Sequence, residues 1–186
     1  MQIIITPAQK SWPRDFQHLK AELLTLSPPG AYVHHIGSTA VPDLAAKDII
    51  DIQITVDDLT KVDPAGFLAA GHRQSEHTSD HCPPGMDLAP ADLAKHLFVV
   101  FTPRRAHVHI RQRGAFNQKF PLICRDYLRS HPVTAKAYEQ IKQRLAAFFP
   151  EDQDAYYDIK DPVFDIIHEG AMEWAKRTNW SEAAPD

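Results

Sequence analysis

The sequence predicts an α+β protein, with one mixed sheet in its first two thirds and a helical C-terminal part. Three patterns carry that prediction. Residues 49–56, IIDIQITV, alternate apolar and polar side chains, the period of a half-buried strand. Two more strand-like runs, residues 96–102 and 106–111, meet at Pro103-Arg104-Arg105, which reads as a hairpin. From residue 120 onward, apolar residues recur at helical spacing.

In chain order, Ile3, Ile4 and Ile5 read as a short strand. Ser11 is placed to cap a helix whose first turn tolerates Pro13. Trp12, Phe16, Leu19, Leu23 and Leu26 give that helix one buried stripe, and Ser27-Pro28-Pro29-Gly30 ends it. Residues 32–36 form the next strand, and a short helical segment with Pro42, Ala45 and Ala46 follows Gly37-Ser38. In the strand at 49–56, Ile50, Ile52, Ile54 and Val56 share one face, while Asp51, Gln53 and Thr55 point the other way. Residues 57–70 predict a helix that Pro64 breaks or restarts. Residues 71–90, with Pro83-Pro84-Gly85, read as mostly loop, long enough to suggest function or mobility. Three helices complete the chain. The first covers 120–129. The second covers 133–149, with Ala137, Ile141, Leu145 and Phe148 as its stripe. The third covers 154–177, with Ile159, Val163, Ile167 and Trp174, and Asp161-Pro162 marks a kink or a fresh cap in it. The 186 residues suit one domain, placed at 1–180, with 181–186 as a disordered tail.

Hydrophobic residues at 44% and charged residues at 24% are ordinary globular composition. A formal charge of −4 shows no basic excess, so nucleic acid is not the expected partner. No run approaches the ~20 apolar residues of a membrane span, and the three isoleucines before Pro7 are too few for a signal peptide. Cys82 and Cys124 stand in unrelated contexts, which fits a reducing cytoplasm better than a disulfide framework. The 11 histidines read either as scattered surface residues or as metal ligands.

The strongest candidate site is His35-Ile36-Gly37-Ser38-Thr39, between a strand and a helical start. Gly37 lets a ligand approach the backbone, free N–H groups suit phosphate, and Ser38 and Thr39 add hydroxyls. The same residues also suit a plain strand-to-helix turn capped by Ser38. Asp51, in mid-strand, is placed to hold magnesium against a nucleotide's phosphates, and Lys47 to meet a phosphate as a point charge. His107 and His109 share a strand face. With Asp51 they make a His/His/carboxylate set suited to zinc, manganese or iron, or else a hydrogen-bonded pair lining a pocket. His34, His35, His77 and His81 are further metal candidates. Arg125 suits bidentate phosphate contact, with Asp126 to orient it, or a helix-surface ion pair.

The stretch HIGSTAVPDLAAKDIIDIQI, from His35 to Ile54, resembles the signature of the GrpB family. Ala106-His107-Val108-His109 is similar to that family's histidine-rich strand. Cys124-Arg125-Asp126-Tyr127-Leu128-Arg129 is similar to its arginine-aspartate-tyrosine helix. Tyr157, Lys160, Ala171 and Trp174 resemble its last helix, and Trp12-Pro13 with Phe16 its opening. The resemblance implies a nucleotidyltransferase-like fold in a bacterial protein. It also implies kinship with domains fused behind a dephospho-CoA kinase. It places Gly37, Ser38, Thr39, Lys47, Arg125 and Lys160 at a ligand, and Asp51 and Gln53 at the catalytic acidic positions. In active members of that wider superfamily the second position and a later strand carry acids. Here Gln53, His107 and His109 stand there instead. Asp43 stands where glycine is usual and Asp48 where proline is usual, both adding negative charge beside the expected phosphate. Three functions follow: nucleotidyl or phosphoryl transfer with a divalent metal, binding of a nucleotide or phosphate-bearing small molecule without transfer, or accessory contact with another enzyme.

Overall fold

A computed structural model describes residues 2–186. Its core is a five-stranded mixed sheet, in the order β1-β2-β5-β4-β3. These strands are β1 (Tyr32–Ile36), β2 (Ile50–Val56), β3 (Arg73–Gln74), β4 (Lys95–Val100) and β5 (Ala106–Gln112). β2 pairs antiparallel with β1 and parallel with β5, and β5 and β4 form the expected antiparallel hairpin. The isoleucine-rich strand is therefore interior, which suits side chains buried on both faces.

The two faces of the sheet are chemically opposite. Ile50, Ile52, Ile54, Val108, Ile110 and Phe98 form one core with α1 (Trp12–Leu26), whose Trp12, Phe16, Leu19 and Leu23 all point inward. Phe67, from the short helix α2 (Pro64–Ala69), stacks on Phe98 with ring centroids 4.5 Å apart. Pro64 starts this helix, and Asp63 caps it by accepting from the Ala65 N–H. The opposite face carries Asp51, Gln53 and Thr55 in register with His107, His109 and Arg111. Over it lie α4 (Phe116–Ser130), α5 (Pro132–Phe148) and α6 (Gln153–Thr178), which share a second core around Leu128, Tyr138, Ile167 and Ala171. A one-turn helix, α3 (Pro90–Leu93), leads into β4.

Several expectations are corrected. Residues 3–5 form no strand; Ile3 anchors in a small cluster with Leu145 and Tyr156 while Ile4 is exposed. Ser11 precedes α1 but makes no side-chain cap bond. α4 begins at Phe116 rather than 120 and carries Pro121 inside it, and Pro162 likewise lies within a continuous α6. The buried face of α5 is Ala135, Tyr138, Lys142 and Leu145, and Phe148 faces solvent. A lysine on the inward stripe had shifted the apparent apolar face. In the segment after α6, assigned from sequence to a tail at 181–186, two side chains contact the fold. Glu182 accepts from Gln118 at 3.0 Å, and Asp186 Oδ2 accepts from the His35 N–H at 3.0 Å and from Arg125 at 2.8 Å. Among the described residues no helix is long and apolar enough to cross a membrane.

Phe98 is fully buried, so Phe98→Ala should cost about 3–5 kcal/mol, the combined transfer and cavity penalty of an aromatic core truncation. Urea denaturation should show a lower midpoint at an unchanged slope. A loss under about 1 kcal/mol would place the stack outside the cooperative core.

Candidate functional site

β1 ends with Ile36 opposite Asp51, so the turn leaving β1 starts against that carboxylate. Gly37 has φ +69°, in the left-handed region. A Cβ there would lie 2.5 Å from Asp51 Oδ2 and 2.9 Å from Asp51 Cβ. Both backbone and space therefore require glycine. The 3₁₀ turn that follows, Ser38–Ala40, brings Ser38 to the rim of a cleft of about 700 Å³. The cleft lies between the polar sheet face and helices α4 to α6, with Asp51, His107, His109, Lys47, Lys142 and Lys160 on its walls.

Lys142 is the feature that sequence reading missed. It is 2% exposed, and its Nζ donates to Ser38 Oγ at 2.8 Å and to the Ala45 carbonyl at 2.7 Å. Both partners are neutral oxygens. Burial first, and then repulsion from Lys160, push its pKa down to about 7. Lys160 lies 3.0 Å from Asp161 and over the Tyr157 ring at 5.5 Å. Burial opposes its charge, but Tyr138 and Asp161 outweigh that and raise its pKa. Lys47 stands over the same Tyr157 ring at 4.5 Å and donates to its hydroxyl. Three amines from three segments thus line one cleft, Lys142 at the Ser38 turn and Lys47 and Lys160 at Tyr157.

The sheet wall is organised by Arg111. Its Nε and Nη2 donate to the two oxygens of Asp80 at 2.9 and 3.1 Å, and its Nη1 donates to Gln53 Oε1 at 2.8 Å. Lys95 and Asn117 also donate to Asp80. Burial opposes ionisation of Asp80, yet Arg111 and then Lys95 hold its carboxyl well below the usual range. Gln53 is fully buried, and its amide nitrogen donates to the Gln118 carbonyl at 2.8 Å. Its polar groups are spent within the wall, so it offers nothing to a metal in the cleft.

Arg111 Nη2 also lies 3.3 Å from His109 Nδ1. A guanidinium has no acceptor, so Nδ1 holds the lone pair and Nε2 the proton. Burial, with Arg111 and Lys95 beside it, keeps His109 neutral, its pKa well below the usual value. Ligation through Nε2 would move that proton to Nδ1, against the guanidinium. Asp51 has His107 Nδ1 at 3.5 Å. Burial opposes its charge, but the bond and charge from His107 bring its pKa below the carboxylate range. Among the described residues no three His, Cys, Asp or Glu side chains gather to hold a metal ion. Neither the magnesium set of Asp51 and Gln53 nor the transition-metal set of Asp51, His107 and His109 fits this geometry.

The structure divides the other candidates. Thr39 is buried and its hydroxyl pairs with His35 Nε2 at 2.9 Å. His35 stacks on Phe16, and burial lowers its pKa to about 4, so it serves the core. His34 is buried beside the Ala183 carbonyl. Arg125, 2% exposed, bonds Asp126, the His35 carbonyl and Asp186, outside the cleft lining. His77 and His81 do line the cleft, and His81 pairs with Asp165 at 2.9 Å. Asp43 takes φ +58°, a left-handed position that explains why glycine suits it, and borders a separate cavity. Asp48 accepts from Trp12 Nε1 at 2.7 Å and from Arg104, so its charge is neutralised away from the cleft.

A GrpB protein family model matches residues 2–169. A dephospho-CoA kinase of Mycolicibacterium paratuberculosis is 35% identical, over 95% of this chain and 47% of that protein. The UPF0157 protein YqkA of Bacillus subtilis is 31% identical, over 91% of this chain and 47% of its own length. The chain thus spans about half the length of these curated relatives. The crystal structure of the conserved protein GrpB from Enterococcus faecalis superposes with a TM-score of 0.72 at 28% identity, covering 92% of this chain and 98% of that one.

Asp80→Asn should cost about 3–5 kcal/mol at pH 7, because it leaves Arg111 and Lys95 buried without their counter-charge. Its folded pKa is depressed, so the stability it adds is present above the unfolded value of about 3.9 and is lost as pH falls below it. Parent and variant should converge under acid; a gap that stays constant from pH 7 to pH 3 would refute this role for Asp80.

Proposed function

The chain belongs to the GrpB family, and from that premise we propose that it binds a nucleotide or another phosphate-bearing small molecule in the cleft beside Ser38. The observation that carries this reading is Lys142, a buried amine whose hydrogen bonds among the described residues go to two neutral oxygens and which stands over the Tyr138 ring. An amine held this way is restored to full charge by an anion. Lys47 and Lys160 both stand over the Tyr157 ring and add charge there, and Tyr157 and Phe164 in the cleft lining give a base apolar contact. The Ser38 hydroxyl, which accepts from Lys142, stands on the rim of the same cleft. Magnesium-driven nucleotidyl transfer is not part of the reading, because Gln53 stands at the second acidic position and the sheet wall's other carboxylate, Asp80, is held by Arg111 and Lys95.

A second reading rests on the relatives named dephospho-CoA kinase, whose matched region is about half of each protein. In it the domain is an accessory unit to such an enzyme, and its ligand is dephospho-CoA or CoA. The thiols of Cys82 and Cys124 are unpaired, which suits the cytoplasm where those ligands are made.

Calorimetry with ATP, CoA, dephospho-CoA and pyrophosphate tests both readings. Lys142→Met should weaken the ligand that binds by about 1.5–3 kcal/mol, the worth of a charge-assisted hydrogen bond. Binding by the parent should also weaken from pH 6 to pH 8, since the free amine loses its proton near pH 7 and the bound one keeps it. The variant should lack that part of the pH dependence. Equal affinities in parent and variant would remove Lys142 from the site.

A further inference from the structure

Two histidines on the cleft wall present opposite faces of the same chemistry. Asp51 is ionised, so the His107 nitrogen 3.5 Å from it, Nδ1, carries the proton. In the neutral form of His107 the lone pair is then on Nε2. His109 is the reverse. Its Nδ1 faces the Arg111 guanidinium at 3.3 Å, so its Nε2 carries the proton. The two residues stand two apart on one face of β5, about 7 Å at strand spacing, and both line the cleft. One offers a base and the other a fixed N–H donor.

We propose that the cleft hydrolyses phosphoanhydrides without a metal ion, with His107 as general base and His109 as a positioned hydrogen-bond donor to the phosphoryl group. This rests on the phosphate-binding reading of the same cleft. Water oxygen attacks phosphorus while its proton passes to His107 Nε2, and Asp51 stabilises the imidazolium that forms. The bond from phosphorus to the bridging oxygen breaks, and its electron pair leaves on the departing phosphate. His107 then returns its proton to solvent. His109 donates to a non-bridging oxygen throughout, and its proton does not move. A neutral imidazole is too weak an acid to protonate a leaving alkoxide, which is why an anhydride is the fitting substrate rather than an alkyl ester. Lys142 and Lys160 face the charge that develops.

The test uses the full chain after chelator treatment, with ATP and inorganic pyrophosphate as probes. Phosphate release should persist in the chelator and fall about 10²–10⁴-fold in His107→Ala, while calorimetric ATP affinity is retained. Long-range proton–nitrogen NMR of the parent should show the proton on Nδ1 of His107 and on Nε2 of His109. ATP binding with no release in chelator overturns the hydrolytic proposal and leaves the binding reading standing. Release only on adding magnesium overturns it as well. No binding of any phosphate compound defeats both. The same tautomer at both histidines would sink the acid–base assignment whether or not His107→Ala folds.

Discussion

One guanidinium sets the terms for the whole polar face of the sheet. Arg111 grips both oxygens of Asp80, takes the amide oxygen of Gln53 and faces His109. A buried charge must be matched or it destabilises the fold, so each of these partners is committed. The commitment reaches outward through Asp80, which lies in the segment between β3 and β4 and ties that segment to the sheet with help from Lys95 and Asn117. It reaches inward through Gln53, removing from the cleft the position where an acid would bind metal. What remains open to a ligand is the part of the wall that Arg111 does not reach: Asp51, His107 and the outer edge of His109.

Across the cleft, α5 and α6 supply amines and tyrosines, and the loop after Gly37 adds Lys47. The sheet's own cations, Arg111 and Lys95, are tied to Asp80, so the proposed anionic end of a ligand would meet the amines of the far side. Lys142 is neutral in part when alone because it is buried and because Lys160, the charged group that lowers its pKa most, stays charged.

The fold was largely legible from periodicity. The alternation of Ile50, Ile52, Ile54 and Val56 set the faces of β2 correctly, and the Gly37 turn fell where a strand meets a helical turn. The start of α4 was set late, at 120 rather than Phe116, and Pro162 sits inside an α6 whose extent was read almost correctly. The site was legible only in its sheet half. Gly37, Ser38, Asp51, His107 and His109 announce themselves by local pattern, whereas Arg111, Asp80 and Lys142 derive their roles from partners far away in sequence. Lys142 did leave a trace. It follows Tyr138 by four residues and precedes Leu145 by three, so the inward stripe of α5 contains a lysine, an anomaly that marks a buried charge. Arg125 and Thr39 have polar atoms engaged within the fold: Arg125 donates to the His35 carbonyl, and the Thr39 hydroxyl pairs with the His35 ring.

The short run of chain after α6 changes how the sheet meets other molecules. β1 is an outer strand, and the outward N–H and carbonyl of His35 are taken by Asp186 and Arg125. At the far side β3 is only two residues long. Exposed strand edges invite pairing with strands of other chains, and a sheet whose one border has the His35 groups engaged and whose other is cut short offers less to pair with. Such a domain can be carried at high local concentration, or joined to a larger enzyme, without its sheet extending into its neighbours.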